Sequence, residues 1–240
     1  MLFRPEGGDR HHIADLRTGN HRDSRQDSLY TAAPQLAATS TLSMQTTIFN
    51  TPVITPVLRL IARLLLKLHG WRVVCDRQAL KLKKYVLIGA PHTSNWDGYY
   101  FILAALKLGL TPQWMGKDKL FRFPLGSTMR WFGGIAVDRS KANNLVQATV
   151  DKFNECRSLI IAVPPEGTRG RGERWKTGFY HIARGARLPV VCGFINFRKK
   201  ELGLGPVMEM GENLKMELAR IRDFYRDKIG KYPEHFTPPA

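Results

Sequence analysis

The 240-residue sequence has only three cysteines, Cys75, Cys156 and Cys192, and no two of them form a CxxC pair. A small, odd number of scattered cysteines argues against a disulfide framework and against a thiolate metal site. We therefore expect no metal and no cofactor. A reducing, cytosolic setting fits this cysteine usage best.

Three further patterns are missing. No apolar segment follows a basic start, so we expect no secretory signal, and five acids in residues 1–43 argue against a transit peptide. The apolar stretch 57–68 contains three cations and is shorter than the roughly twenty residues that cross a bilayer. The absence of a G-x-S-x-G sequence excludes the nucleophile elbow of the α/β-hydrolases.

Acidic residues are scarce: the sequence has 20 of them and 37 lysines and arginines, which gives a formal net charge of +17. Residues 1–43 carry five arginines and five acids, so the whole excess lies in 44–240. Such an excess favours an anionic partner, whether nucleic acid, lipid headgroups or a phosphorylated substrate. We expect no nucleic acid, because neither a recognition helix nor aromatic residues interleaved with basic patches are evident.

The amino-terminal part of the chain divides into two segments of different character. Residues 1–43 are polar and aperiodic, which predicts a disordered tail. Residues 44–72 predict an amphipathic helix, with Arg59, Arg63 and Lys67 stacked on one face by their i, i+4, i+8 spacing. This helix would lie either in the interface of an anionic membrane or, as an ordinary helix, against the protein core.

The remaining residues, 73–240, alternate between strand and helix patterns. The predicted strands are 85–90, 135–138, 158–163 and 189–195, and the predicted helices are 97–110, 141–156 and 180–187. This alternation predicts an α/β fold with a mixed, largely parallel sheet flanked by helices. His181 falls on an apolar helix face and is expected in the core, and "TPPA" at 237–240 is expected to be a frayed end.

A histidine and an aspartate stand close together after the first of these strands. His92 follows strand 85–90 and Asp97 lies in the first turn of the next helix, at a carboxyl edge where α/β sheets place their sites. A carboxylate that orients one imidazole nitrogen leaves the other free to take a proton from a hydroxyl. Ser94 and Asp97 also spell a capping box, so a purely structural role is the alternative.

Three more stretches follow in order: "GGIAVDRS" at 133–140, "PPEGTRGRGERWKTGFYHIA" at 164–183 and "LPVV" at 188–191. Together with the H-x-x-x-x-D spacing they resemble the four motifs of the glycerolipid acyltransferases, the family of the lysophosphatidic acid acyltransferases. The resemblance covers residues 44–197. Pro164 and Gly170 stand where the family usually has phenylalanine and serine, which bears on the acceptor more than on the reaction.

The resemblance implies transfer of a fatty acyl group from acyl-ACP or acyl-CoA to the hydroxyl of a lysophospholipid, foremost 1-acylglycerol-3-phosphate. His92 and Asp97 would be the catalytic residues. The implied substrate-binding residues, mainly for the acceptor phosphate, are Lys117, Arg139, Glu166, Gly167, Thr168 and Arg169. Glu166 would either bond a glycerol hydroxyl or form an ion pair with Arg169, and the strand opened by Pro189 would line the acyl channel.

The implied setting is an anionic membrane surface, with a peripheral or monotopic protein on its cytosolic face. Two alternatives keep the same fold and the same histidine and aspartate. One is an acyltransferase for a different lysolipid, and the other is a thioesterase-like hydrolase that places water where the acceptor hydroxyl would be.

Overall fold

A seven-stranded sheet forms the centre of this computed structural model, which describes residues 46–137 and 142–239. The spatial order is β1-β7-β6-β2-β5-β3-β4, and every neighbouring pair is parallel except β6 and β7. The predicted mixed, largely parallel sheet is confirmed. The strands are β1 Arg72–Cys75, β2 Lys84–Ala90, β3 Pro112–Lys117, β4 Gly134–Val137, β5 Leu159–Val163, β6 Val190–Asn196 and β7 Glu201–Met208.

Helices flank this sheet. The three helices predicted from the patterns in 73–240 agree with the observed ones within two residues at each end, whereas α1 is shorter than its predicted segment, 44–72. They are α1 Ile54–Leu68, α2 Arg77–Lys81, α3 Asn95–Leu108, α4 Gly126–Trp131, α5 Ala142–Glu155, α6 Gly178–Ala186 and α7 Leu214–Tyr225. Short 3-10 helices occupy Asp118–Phe121 and Pro233–His235. The patterns did not predict β1, β3, β7, α2 or α7. The predicted disordered tail, 1–43, lies outside the described residues.

β2 is a central strand that is buried on both faces of the sheet. Its alternation sends Val86 and Ile88 toward a cluster formed with α5, α6 and α7, and Tyr85 and Leu87 toward a cluster that includes side chains of α3. All four side chains are at most 3% exposed. Each such burial contributes about 1.5–3 kcal/mol to folding, so the carboxyl end of β2 is firmly placed.

The first helix, α1, is apolar on two opposite faces. Ala62 and Leu66 are completely buried in a cluster shared with α3. Leu60, Leu64 and Leu68 are 67%, 56% and 72% exposed. The helix packs on the core and also presents an apolar stripe outward. Its geometry is therefore compatible with both sequence-based alternatives, an ordinary core helix and a helix in a membrane interface. None of the described helices has the length and apolar character needed to cross a membrane.

The strand directions bring several loops to one edge of the sheet. Because β2, β3, β4 and β5 run parallel, their carboxyl ends all lie there. The first and third sequence motifs begin in the loops after β2 and β5, and the second includes β4 itself. The sheet thus gathers segments that are far apart in the chain.

Gly203 permits the close approach of β1 and β7, and we expect Gly203→Ala to destabilise the protein. Its φ is +148°, and an added Cβ would lie 1.7 Å from the carbonyl oxygen of Val74. The free energy of unfolding, measured by urea denaturation, should fall by roughly 2–4 kcal/mol. Gly98→Ala in α3 is the matched control, because nothing lies within 4 Å of its added Cβ. The control should keep or gain stability, and equal stability of both variants would contradict the close approach.

Candidate active site

His92 and Asp97 face one another just beyond the end of β2. The imidazole Nδ1 lies 3.5 Å from Oδ2 of Asp97. The aspartate side chain is 6% exposed and the histidine side chain 28% exposed. This separation is long for a hydrogen bond but lies within ion-pair range, and such contacts often tighten when substrate binds. The pair therefore offers one oriented ring nitrogen and leaves Nε2 for other partners.

The Asp97 carboxylate is held by the chain turn that begins α3. Its Oδ2 accepts hydrogen bonds from the backbone N–H groups of Thr93 and Ser94, each at 2.7 Å. Its Oδ1 accepts a hydrogen bond from the Ser94 hydroxyl at 2.9 Å. Capping the helix and facing the histidine are thus not alternatives, because one carboxylate does both.

Glu166 supports His92 from the neighbouring loop after β5. This glutamate is 3% exposed. Its Oε1 accepts the backbone N–H of His92 at 2.6 Å, and its Oε2 accepts the backbone N–H of Thr237 at 3.4 Å. The proposed ion pair with Arg169 is wrong, because the arginine is exposed and both carboxylate oxygens are bonded to backbone amides. Burial raises the pKa of Glu166 to about 7, and the two amide hydrogen bonds offset this only in part.

The loop that carries Glu166 has a tight, hydrogen-bonded path. The N–H of Gly167 donates to the Pro164 carbonyl at 3.1 Å, and the N–H of Lys176 donates to the Pro165 carbonyl at 2.7 Å. Gly167 has φ +69°, a conformation that glycine adopts at little cost. The turn leaves Thr168 and the side chain of Arg169 exposed at the edge of the sheet.

An open cleft of about 420 Å³ lies against the residues between His92 and Asp97. Residues from three segments line it: Thr93, Ser94, Asn95, Trp96, Arg169, Gly170, Tyr232 and His235. The predicted arginine therefore stands next to the loop that connects His92 to Asp97. A polyatomic anion in this cleft would meet a guanidinium fork.

The side chains of two predicted phosphate ligands are not among those that the structure describes. Arg139 lies outside the described residues. Lys117 ends β3, where its backbone is in register with Val137 of β4 at the same sheet edge, and its side chain is outside what the structure describes. Their contribution stays a prediction.

Three expectations from the sequence need correction. The strand after Pro189 begins at the opposite sheet edge, and Val190 and Val191 are 0% exposed core residues, so these two do not line an accessible channel. His181 is exposed and lies outside the core. Thr237 is 5% exposed, so the "TPPA" end is anchored at this residue.

The sequence patterns also failed to indicate the cleft residues Tyr232 and His235. A signal was present, because "KYPEHF" at 231–236 holds two aromatic residues and a histidine, which is unusual for a solvated end. The prolines that follow this stretch favour a frayed terminus and mask that signal.

Comparisons with known proteins identify the family and the fold. A family model described as Acyltransferase matches residues 72–195. The crystal structure of the 1-acyl-sn-glycerophosphate (LPA) acyltransferase PlsC from Thermotoga maritima superposes with a TM-score of 0.50 and 15% sequence identity, over 72% of this chain and 77% of that chain. At this identity the likeness concerns the fold. No curated protein matches the chain.

Fold and family match together define the class of the protein, which is an acyltransferase. The chain belongs to the glycerolipid acyltransferase family, as the four motifs predicted. The matched residues include His92, Asp97, Glu166 and Arg169.

The buried carboxyl of Glu166 predicts a pH-dependent stability. Because its pKa in the folded state, about 7, exceeds the ordinary 4.5, its stabilising contribution is full below about 4.5 and is lost as the pH rises through 7. Relative to Glu166→Gln, the wild type should lose about 3 kcal/mol of unfolding free energy between about pH 4 and pH 8.

Urea denaturation at a series of pH values measures this difference. Glu173→Gln, an exposed carboxylate of the same loop, is the matched control and should follow the wild type. A constant difference between wild type and Glu166→Gln at every pH would contradict the raised pKa.

Proposed function

We propose that this acyltransferase moves a fatty acyl group from acyl-ACP or acyl-CoA to the free hydroxyl of a lysophospholipid. The preferred acceptor is 1-acylglycerol-3-phosphate, and the product is then phosphatidic acid. One observation carries the proposal: the His92 ring is backed by a buried carboxylate at 3.5 Å, and the residues that follow it, 93–96, line a cleft that contains Arg169.

The chemistry needs one base and no covalent intermediate. Asp97 orients Nδ1 of His92, and Nε2 accepts the proton of the acceptor hydroxyl while that oxygen attacks the thioester carbonyl. A carbon–oxygen bond forms, the carbon–sulfur bond breaks, and the proton passes from the imidazolium to the leaving thiolate. A positioned base of this kind contributes roughly 10²–10⁴ in rate.

The acceptor phosphate would be bound by arginine. Arg169 is the ligand we propose for it inside the cleft, and the turn at Gly167 and Thr168 sets the position of its backbone. Arg139 and Lys117 are proposed as further ligands because they match the family motifs at neighbouring strand ends. Guanidinium groups suit a phosphate through paired hydrogen bonds.

The same reaction requires access to lipid, and α1 suits a membrane surface. Its exposed leucine stripe would enter the acyl region, with Arg63 and Lys67 at the headgroups. The net charge of +17 favours an anionic surface and an anionic acyl carrier. We propose a peripheral or monotopic protein on the cytosolic face.

Product analysis by mass spectrometry tests the function directly. The purified protein is mixed with acyl-CoA or acyl-ACP and a panel of lysolipids that includes 1-acylglycerol-3-phosphate and a phosphate-free monoacylglycerol. Phosphatidic acid is the expected main product. Free fatty acid released at a rate that lysolipid does not change would instead indicate a hydrolase, and transfer to the monoacylglycerol alone would contradict a phosphate role for Arg169.

Replacing the base should remove the activity and keep the fold. We expect His92→Ala to lower kcat at least about 100-fold, because the variant lacks the group proposed to accept the hydroxyl proton. The unfolding temperature should change little, since the ring is partly exposed. His181→Ala, an exposed histidine on α6, is the matched control and should keep full activity. More than about a tenth of the wild-type kcat in His92→Ala would exclude the proposed base.

Removing the apolar stripe should weaken membrane binding. We expect Leu60→Ser combined with Leu64→Ser to reduce binding to vesicles that contain anionic lipid by about tenfold or more, because each leucine contributes about 1.5–3 kcal/mol when it is fully buried. Met216→Ser on α7, 63% exposed, is the matched control. Equal cosedimentation of wild type and double variant with vesicles would contradict a membrane role for α1.

A further inference from the structure

The end of the described chain, residues 231–239, folds back over the candidate site. Thr237 anchors it by four hydrogen bonds to the loop after β5. Its hydroxyl accepts the N–H of Gly172 at 2.8 Å and donates to the Gly172 carbonyl at 3.1 Å. Its carbonyl accepts the indole N–H of Trp175, and its N–H donates to Glu166 at 3.4 Å.

The other end of the segment contacts the loop between His92 and Asp97. The N–H of Tyr232 donates to the Thr93 hydroxyl at 3.3 Å. The Lys231 ammonium lies 4.6 Å from the centre of the Trp96 ring, which is a cation–π contact. An added Cβ on Gly230 would lie 2.6 Å from the Thr93 hydroxyl oxygen, so the backbones are closely packed here. The segment therefore bridges the two loops that contain the catalytic and acceptor motifs.

Between these two anchors, the segment forms one wall of the cleft. Tyr232 and His235 line it together with residues of the other two segments, and their ring centres are 5.5 Å apart. Nδ1 of His235 is buried without a hydrogen-bond partner in the described part of the chain. No internal hydrogen bond through Nδ1 therefore fixes the ring in the described part of the chain.

The cleft is also suited to negative charge. Arg169 lines it, Lys231 adjoins it through Trp96, and no carboxylate residue is among those that line it in the described part of the chain. A phosphate group would meet cations and neutral hydrogen-bonding groups there, and a neutral glycerol would gain much less.

We propose that Tyr232 and His235, in the segment 231–239, complete the acceptor-binding site and determine its preference for a phosphate-bearing lysolipid. Tyr232 and His235 contact the phosphate end of the acceptor, and Thr237 is the positioning residue that holds them against the loops. The inference rests on the proposed function, and it adds a part of the chain that lies beyond the residues matched by the family model, 72–195.

Steady-state kinetics with separate titration of donor and acceptor tests the positioning role. Thr237→Val removes the two hydroxyl bonds to Gly172 and should raise the KM for 1-acylglycerol-3-phosphate about tenfold. The donor KM and the kcat at saturating acceptor should stay within about twofold. Thr237→Ser restores the hydroxyl and should recover most of the acceptor affinity. Glu234→Ala, exposed in the same segment and outside the cleft lining, is the matched control.

A selectivity measurement tests the contact itself. His235→Ala and Tyr232→Ala should each lower kcat/KM for 1-acylglycerol-3-phosphate about tenfold while leaving that for a phosphate-free monoacylglycerol nearly unchanged. Both residues are at least partly exposed, so these variants should fold even if Thr237→Val does not.

The outcomes separate this inference from the proposed function. A wild-type protein that transfers no acyl group to any lysolipid would refute the function itself. An active wild type in which His235→Ala and Tyr232→Ala leave the acceptor selectivity unchanged would refute the inference alone. The inference is also refuted if Thr237→Val folds and alters donor and acceptor KM equally, because a purely structural role would act on both.

Discussion

The hydrogen bond between the His92 amide and the Glu166 carboxylate holds the candidate site together. It joins the loop after β2 to the loop after β5 at 2.6 Å, and the second carboxylate oxygen reaches Thr237. One buried side chain therefore ties three segments that are 74 and 71 residues apart in sequence. The orientation of the imidazole, the position of Arg169 and the wall of the cleft all depend on this connection.

The parts of the fold that the sequence predicts are those with strong local patterns. β2, β5 and β6 are continuous apolar runs, as buried parallel strands require. β3 and β7 were missed because their letters, "PQWMGK" and "ELGLGPVM", include glycine and proline, which normally interrupt strands. Gly203 shows the reason, since its missing side chain lets the β1 backbone approach closely.

The candidate site likewise has parts that the sequence predicts and parts that it does not. His92 and Asp97 are predictable because the five-residue spacing places both at one strand end. The partners of Glu166 are backbone amides of residues distant in sequence, which no pattern of side chains encodes. The anchoring of Thr237 depends on Gly172, 65 residues away, and is visible only once the chain is folded.

Helix α3 connects the candidate site to the first helix, α1. Its first turn contains Asp97, and its side packs against α1, whose outer stripe faces away from the core. Because α3 is a single unbroken helix of 14 residues, it acts as a stiff rod. Should α1 lie on a lipid bilayer as proposed, this rod would fix the distance between the Asp97 carboxylate and the headgroups.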